Sequence, residues 1–231
     1  LADLVEATPF RACLLPVAAL SYPWLTKDHP DQEGKNLRRV AQALKAMDEE
    51  VGVFWDYMSL HQHPDPVNGV MRTEAENALF KQGLGCLGTL YSHRHTIVLR
   101  LTSFPAGHKL NAWLRSWWVP GTNVSYFDRG WCYTENCLAS LTKSFALSLD
   151  IGRLREDKEY TSEELIEECT KGGGHCPPLL PTQFAAELEI KTFTNGKDDK
   201  PLVKRMYEAT FEEQFGKATQ LSYLQTGWGD A

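Results

Sequence analysis

Residues 14–22 read LLPVAALSY, a short apolar run closed by Pro23, and its length and content are those of a buried strand. Residues 51–58 (VGVFWDYM) are rich in β-branched and aromatic side chains and predict a second strand that runs into the polar stretch 59–68. Residues 96–101 (TIVLRL) predict a third strand and 145–149 a fourth. Between them the period changes. Over 36–47, Leu37, Val40, Ala41, Leu44 and Met47 fall at helical spacing with charge on the other face. Over 74–91, Ala78, Leu79, Leu84, Leu87, Leu90 and Tyr91 make an apolar stripe despite three interior glycines, and 130–141 reads as a further helix. Strands alternating with helices predict an α/β domain, its mainly parallel sheet covered on both faces.

The segment 104–126 interrupts this alternation. It holds Pro105, Gly107, Pro120 and Gly121 around Trp113, Trp117 and Trp118, and reads as an aromatic-rich insertion. The character changes again after Gly152, with an acidic helix over 162–169 that Thr161 or Ser162 can cap, a triple glycine at 172–174 read as a hinge, prolines at 177, 178 and 181, and then two or three helical stretches. The chain therefore divides into an α/β domain over 1–152 and a mainly helical extension over 153–231, packed on it or leading to a further domain. It opens at Leu1 without a basic-then-apolar leader, which predicts an excised fragment.

Composition narrows the partners. With 42% hydrophobic and 23% charged residues the chain can build a packed core rather than stay disordered. A net charge of −6 lacks the positive field that a phosphate backbone needs, so no nucleic-acid partner is expected. A small anionic ligand at a helix N-terminus remains compatible with that charge. The longest apolar run, roughly 13–20, is far short of the ~20 residues that span a bilayer, so no membrane segment is expected. Six scattered cysteines in a chain of this length predict reduced thiols and a cytoplasmic setting. His61, His63, His93, His95, Cys169, His175 and Cys176 match no zinc spacing, so neither a metal nor another bound cofactor is expected.

In parallel α/β sheets ligands bind beyond the carboxyl ends of the strands, where loops converge and helix N-termini point into a crevice. Ser21, Tyr22 and Trp24 follow the first strand; Asp56, Tyr57, Ser59, His61 and Gln62 end the second; Arg129, Trp131 and Glu135 open the last helix of the domain. Each has a plainer reading. Glu135 fits an ordinary solvated carboxylate favoured by the helix dipole, Trp131 a core anchor, and Arg129 a salt bridge to Asp128 or Asp56. Ser21 and Cys132 are nucleophile types, but each needs a base within reach, which no local spacing supplies. Asp56 arrives at the end of an apolar strand, where a charge must be paired or functional.

Three strings carry a resemblance. ALSYPWLTKDHPD (19–31), VFWDYMSLHQ (53–62) and DRGWCYTE (128–135) are similar, in that order, to the signatures of HET (heterokaryon incompatibility) domains. The last also resembles the TIR-domain pattern that ends in Trp-Cys-x-x-Glu, which Trp131, Cys132 and Glu135 match in spacing. Leu25 stands where the HET pattern has glycine, and Thr134 where it has glutamine. The resemblance spans about 19–141 and implies a flavodoxin-like fold, self-association and a role in immune or cell-death signalling. From catalytically active TIR relatives it implies hydrolysis of NAD at the nicotinamide–ribose bond, with NAD as substrate and Glu135 as the essential carboxylate. Ser21, Tyr22, Trp24, Asp56, Arg129 and Trp131 are then the expected substrate-binding residues. A carboxylate can stabilise the oxocarbenium character that develops at the ribose, and the nicotinamide leaves as a neutral group. The alternative is a non-catalytic interaction module of the same type, with the Trp113/Trp117/Trp118 insertion as its interface; a third possibility is a nucleoside-transferring enzyme. Glu135 and Asp56 facing one cavity would favour the hydrolase, and exposure of the three tryptophans the interaction module.

Overall fold

The computed structural model describes residues 15–26, 29–65, 68–106, 108, 124–171 and 177–216. The tryptophans of the insertion, the triple glycine, His175, Cys176 and the stretch 218–229 lie outside the described residues.

The first apolar run becomes β1 (Val17–Ser21), with β2 (Gly52–Phe54), β3 (Ile97–Arg100) and β4 (Ser148–Asp150) completing a four-stranded sheet in the order β2-β1-β3-β4. Every pairing is parallel, with Ala19 opposite Phe54 and Val98, and Leu99 opposite Leu149. This is the flavodoxin-like α/β arrangement expected above, and it reverses direction between β1 and β3, where such sheets open a crevice. Alternate side chains go to opposite faces. Ala18, Leu20, Leu99, Leu101 and Leu149 pack under α1 (Lys35–Met47) and, later in the chain, the acidic helix Ser162–Thr170. Ala19 and Val98 face the second layer.

α1 starts because Asp31 reaches over it: one carboxylate oxygen accepts from the Lys35 amide and the other from the Leu37 amide, both at 2.8 Å. Its buried residues are Asn36, Arg39, Val40, Ala43 and Ala46; of the expected stripe Val40 is buried and Leu44 and Met47 pack partly buried against the core, while Ala41 is exposed and Leu37 is 52% exposed. Ala43 and Ala46 join the core beneath the helix, and the Ala46 carbonyl accepts from the Ser162 hydroxyl of the acidic helix at 2.7 Å. β2 is shorter than its apolar run, because the chain turns into α2 (Asp56–Ser59). Ser59 drives that turn: its amide donates to the Trp55 carbonyl at 2.7 Å and its hydroxyl accepts from the Trp55 amide at 3.1 Å. The fourth strand is likewise displaced, Phe145–Leu147 forming a 3-10 turn ahead of β4.

The second layer contains α3 (Glu74–Ser92), which opens on a reciprocal Thr73/Glu76 cap, and α4 (Gly130–Ala139). The acidic helix is α5 (Ser162–Thr170), capped by Thr161 and Glu164 as its sequence suggests. The extension continues as α6 (Pro181–Glu189) and α7 (Gly196–Phe215), which lie on the same face as α3 and α4. Phe184 stacks between Tyr133 and Tyr207 at centroid distances of 5.9 and 4.0 Å, and Leu188, Val203 and Tyr207 are fully buried. α7 crosses α3 so closely that a Cβ on Gly88 would lie 2.5 Å from the Thr210 hydroxyl. Among the described residues, no helix is long and apolar enough to cross a membrane.

Candidate active site

Glu135 projects from the second turn of α4, and the turn before it is shaped by the segment 128–131. Arg129 caps the helix N-terminus with extended backbone. Its Nε donates to the Val124 carbonyl and its Nη2 to the Trp24 carbonyl, each at 3.1 Å, which ties the loop after β1 to the mouth of α4. Gly130 is required by contact: a Cβ there would fall 1.9–2.4 Å from the ring of Phe193. The Gly130 amide donates to the Thr192 carbonyl at 2.9 Å, and the Thr192 amide to the Asp128 carbonyl at 2.8 Å. Thr134, where the resembled pattern has glutamine, is buried and donates back to the Gly130 carbonyl at 2.7 Å.

The Glu135 carboxylate sits over the end of β1. Ser21 Oγ donates to its Oε2 at 2.5 Å, and the same hydroxyl lies 2.6 Å from the Tyr126 hydroxyl, which supplies the next proton in the row. Tyr91 stands alongside, donating to the Leu20 carbonyl at 2.8 Å. Burial drives the Glu135 pKa up to about 8; the hydrogen bond from Ser21 opposes this, the charge of Asp56 adds to it, and Tyr91 opposes it. At neutral pH this carboxyl therefore holds its proton most of the time.

Asp56 opens α2 and accepts from the Tyr22 hydroxyl and the Tyr57 amide at 2.8 and 2.7 Å. Burial raises its pKa too, against the pull of Tyr22, the Tyr57 amide and Trp24. Burial, and then the Asp56 charge, push the Tyr22 hydroxyl far above its usual range, so it stays a donor. Tyr22 and Trp24 are held edge-on by Trp55 and Tyr57, each with centroids 5.6 Å apart.

These groups surround one cavity of about 430 Å³, lined among others by Tyr22, Trp24, Asp56, Arg129, Trp131 and Glu135. Six of the seven residues expected at the site are thus brought together. Ser21 is the exception: it is 0% exposed and stands behind Glu135, outside the cavity wall, where its hydroxyl holds the carboxyl. Its alternation along β1 explains this, since Ser21 follows Ala19 into the layer under α4 while Tyr22 emerges at the crevice. Cys132 is buried, and burial pushes its thiol well up, away from the thiolate a nucleophile needs.

Sequence reasoning missed the wall supplied by the extension. Phe193, Thr194 and Asp199 line the cavity, and Asp199 Oδ2 accepts from the Trp131 indole at 3.0 Å. A glycine between Arg129 and Trp131 was the available signal that a large group fills the place of its side chain. Gln62 also lines the cavity, and its amide donates to the Asp56 and Leu60 carbonyls at 3.3 and 3.1 Å. The described histidines lie outside the cavity lining: His63 accepts from the Arg72 amide at 3.1 Å and His93 from the His95 amide at 3.3 Å. Among the described residues, no three His, Cys, Asp or Glu side chains gather in a way that could hold a metal ion. Comparison of the chain with family models, curated proteins and solved structures returned no match, so the site is read from its own geometry.

Proposed function

We propose that this chain is a TIR-like NAD hydrolase that cleaves the nicotinamide–ribose bond in immune or cell-death signalling, with NAD as substrate rather than cofactor. The observation that carries the reading is the common cavity of Glu135 and Asp56 at the β1 and β2 strand ends. A cavity of about 430 Å³ with aromatic walls has the size and character of a small-molecule site.

The chemistry follows from the two carboxyls. Cleavage builds positive charge on the ribose carbon, and a desolvated carboxylate beside it is worth more than in water. A pyridinium ring entering the cavity lowers the Glu135 pKa by its own positive charge, so the substrate itself favours the ionised form. Glu135 then stabilises the developing cation and holds ribose hydroxyls, the neutral nicotinamide departs with the bonding electron pair without a general acid, and water adds to the ribose carbon, giving its proton to the Glu135 carboxylate. Asp56, fixed by Tyr22, orders the opposite side, and Trp24 and Trp131 offer faces for a ring.

The reading includes self-association and a cytoplasmic setting, for which the unbridged thiols of Cys86, Cys132 and Cys169 are compatible. The test is nicotinamide release from NAD by the purified chain at high and low protein concentration, beside a folded Glu135→Ala variant. Release that disappears in the variant is the expected result. No release even when the protein is concentrated and deliberately clustered would sink the hydrolase reading and leave a non-catalytic interaction module as the better account.

A further inference from the structure

We propose that Asp199, carried to the cavity by α7, is a specificity-determining residue that makes this site prefer an aromatic cation over a neutral ring of the same shape. From the reading above this takes only that the occupant carries a cationic ring.

Asp199 belongs to a wall anchored on the mouth of α4. The Phe193 ring fills the space Gly130 leaves, and the two backbone hydrogen bonds of Thr192 lock the segment to 128–130. The carboxylate is then fixed by the Trp131 indole at 3.0 Å. An indole that donates its N–H to a carboxylate is richer in electrons, and its face attracts a cation more strongly.

The charges of the cavity point the same way. Asp56 and Asp199 line it beside Glu135, which keeps its proton near neutrality until a cation favours the ionised form, and among the described residues none of the three is paired with a lysine or arginine. Arg129 lines it too, with its guanidinium turned onto the Val124 and Trp24 carbonyls. Burial raises the Asp199 pKa, the Trp131 hydrogen bond opposes this, and the neighbouring Asp198 adds to it. A half-buried carboxylate in that condition gains from an entering cation and gains nothing from a neutral ring.

The experiment uses the whole chain and two probes that cannot be hydrolysed, the 1-methylnicotinamide cation and neutral nicotinamide, titrated by ligand-observed NMR. The parent is expected to bind the cation about tenfold more tightly than the neutral ring. Asp199→Asn, which keeps an acceptor for Trp131, should bring the two affinities within about twofold, and Asp199→Glu should restore part of the preference. Equal affinities in the parent, or a preference that survives Asp199→Asn, would overturn the proposal. The two readings fail separately. A preference that depends on Asp199 in a protein that never releases nicotinamide removes the hydrolase and keeps the Asp199 inference; release by a protein without the preference does the reverse.

Discussion

Replacing Glu135 by glutamine takes away a group whose proton is held far more tightly in the folded chain than in the unfolded one, and the difference has a computable effect on stability. The ordinary value is 4.5, and burial lifts it to about 8 in the fold. A raised carboxyl pKa means that the native state binds the proton more firmly, so its contribution is intact below the unfolded pKa and is lost as pH climbs toward the folded one. One pKa unit corresponds to about 1.4 kcal/mol, so the parent loses about 3 kcal/mol between acid and roughly pH 7, and about 1 kcal/mol more by roughly pH 9. The curve then flattens. Glu135→Gln has no proton to lose and still accepts from Ser21, so it escapes this fall while sharing every other titration. Urea unfolding of both proteins, without ligand, at a series of pH values isolates the effect: the variant should gain on the parent steadily from about pH 5 to about pH 8. A stability difference that stays flat across that range, or one that moves toward the parent, would refute the burial and coupling assigned to Glu135.

The same carboxyl governs the rate. If Glu135 acts ionised, kcat/KM for nicotinamide release rises with pH through about 8, and Ser21→Ala, which removes a hydrogen bond holding that pKa down, moves the rise to higher pH and lowers kcat/KM near neutrality about tenfold; an unmoved pH profile in the variant would count against Ser21 as the positioning group. Gly130→Ala would ordinarily favour a helix by about 1 kcal/mol, but here the added carbon meets the Phe193 ring at 1.9–2.4 Å, so a loss of about 2 kcal/mol is expected by chemical denaturation, partly recovered when Phe193→Ala is added. A stabilised Gly130→Ala protein would mean that the extension does not seat where it is described.

The parts of the fold that the sequence made plain are those governed by local pattern. β1 and β3 are short apolar runs, the first closed by Pro23, and a threonine and glutamates at 161–164 mark the start of α5, whereas the Thr73/Glu76 cap of α3, though equally local, was not read from the sequence. β2 was harder, because Trp55 and Tyr57 look as strand-like as Val53, and only the Ser59 cap to Trp55 turns the chain aside. On α1 the apolar spacing rightly placed Val40, Leu44 and Met47 against the core but also pointed to Leu37 and Ala41, which are exposed, while Ala43, Ala46, Asn36 and Arg39 are buried without belonging to that stripe. At the site, Tyr22, Asp56, Arg129 and Glu135 were legible because a parallel sheet gathers strand ends and helix mouths at one edge. Phe193 and Asp199 were not, since a wall docked from far along the chain leaves no spacing signature near the residues it serves.

That wall joins the first described strand to the last described helix. Tyr22 and Asp199 come to the same cavity only when the chain between them has closed, and closing so large a loop is slow compared with forming α3 or α4. The cavity is therefore among the last features to form on folding. By the same topology, transient release of α6 and α7 would open one side while the sheet stayed intact, and amide exchange at 192–199 would report that opening ahead of global unfolding.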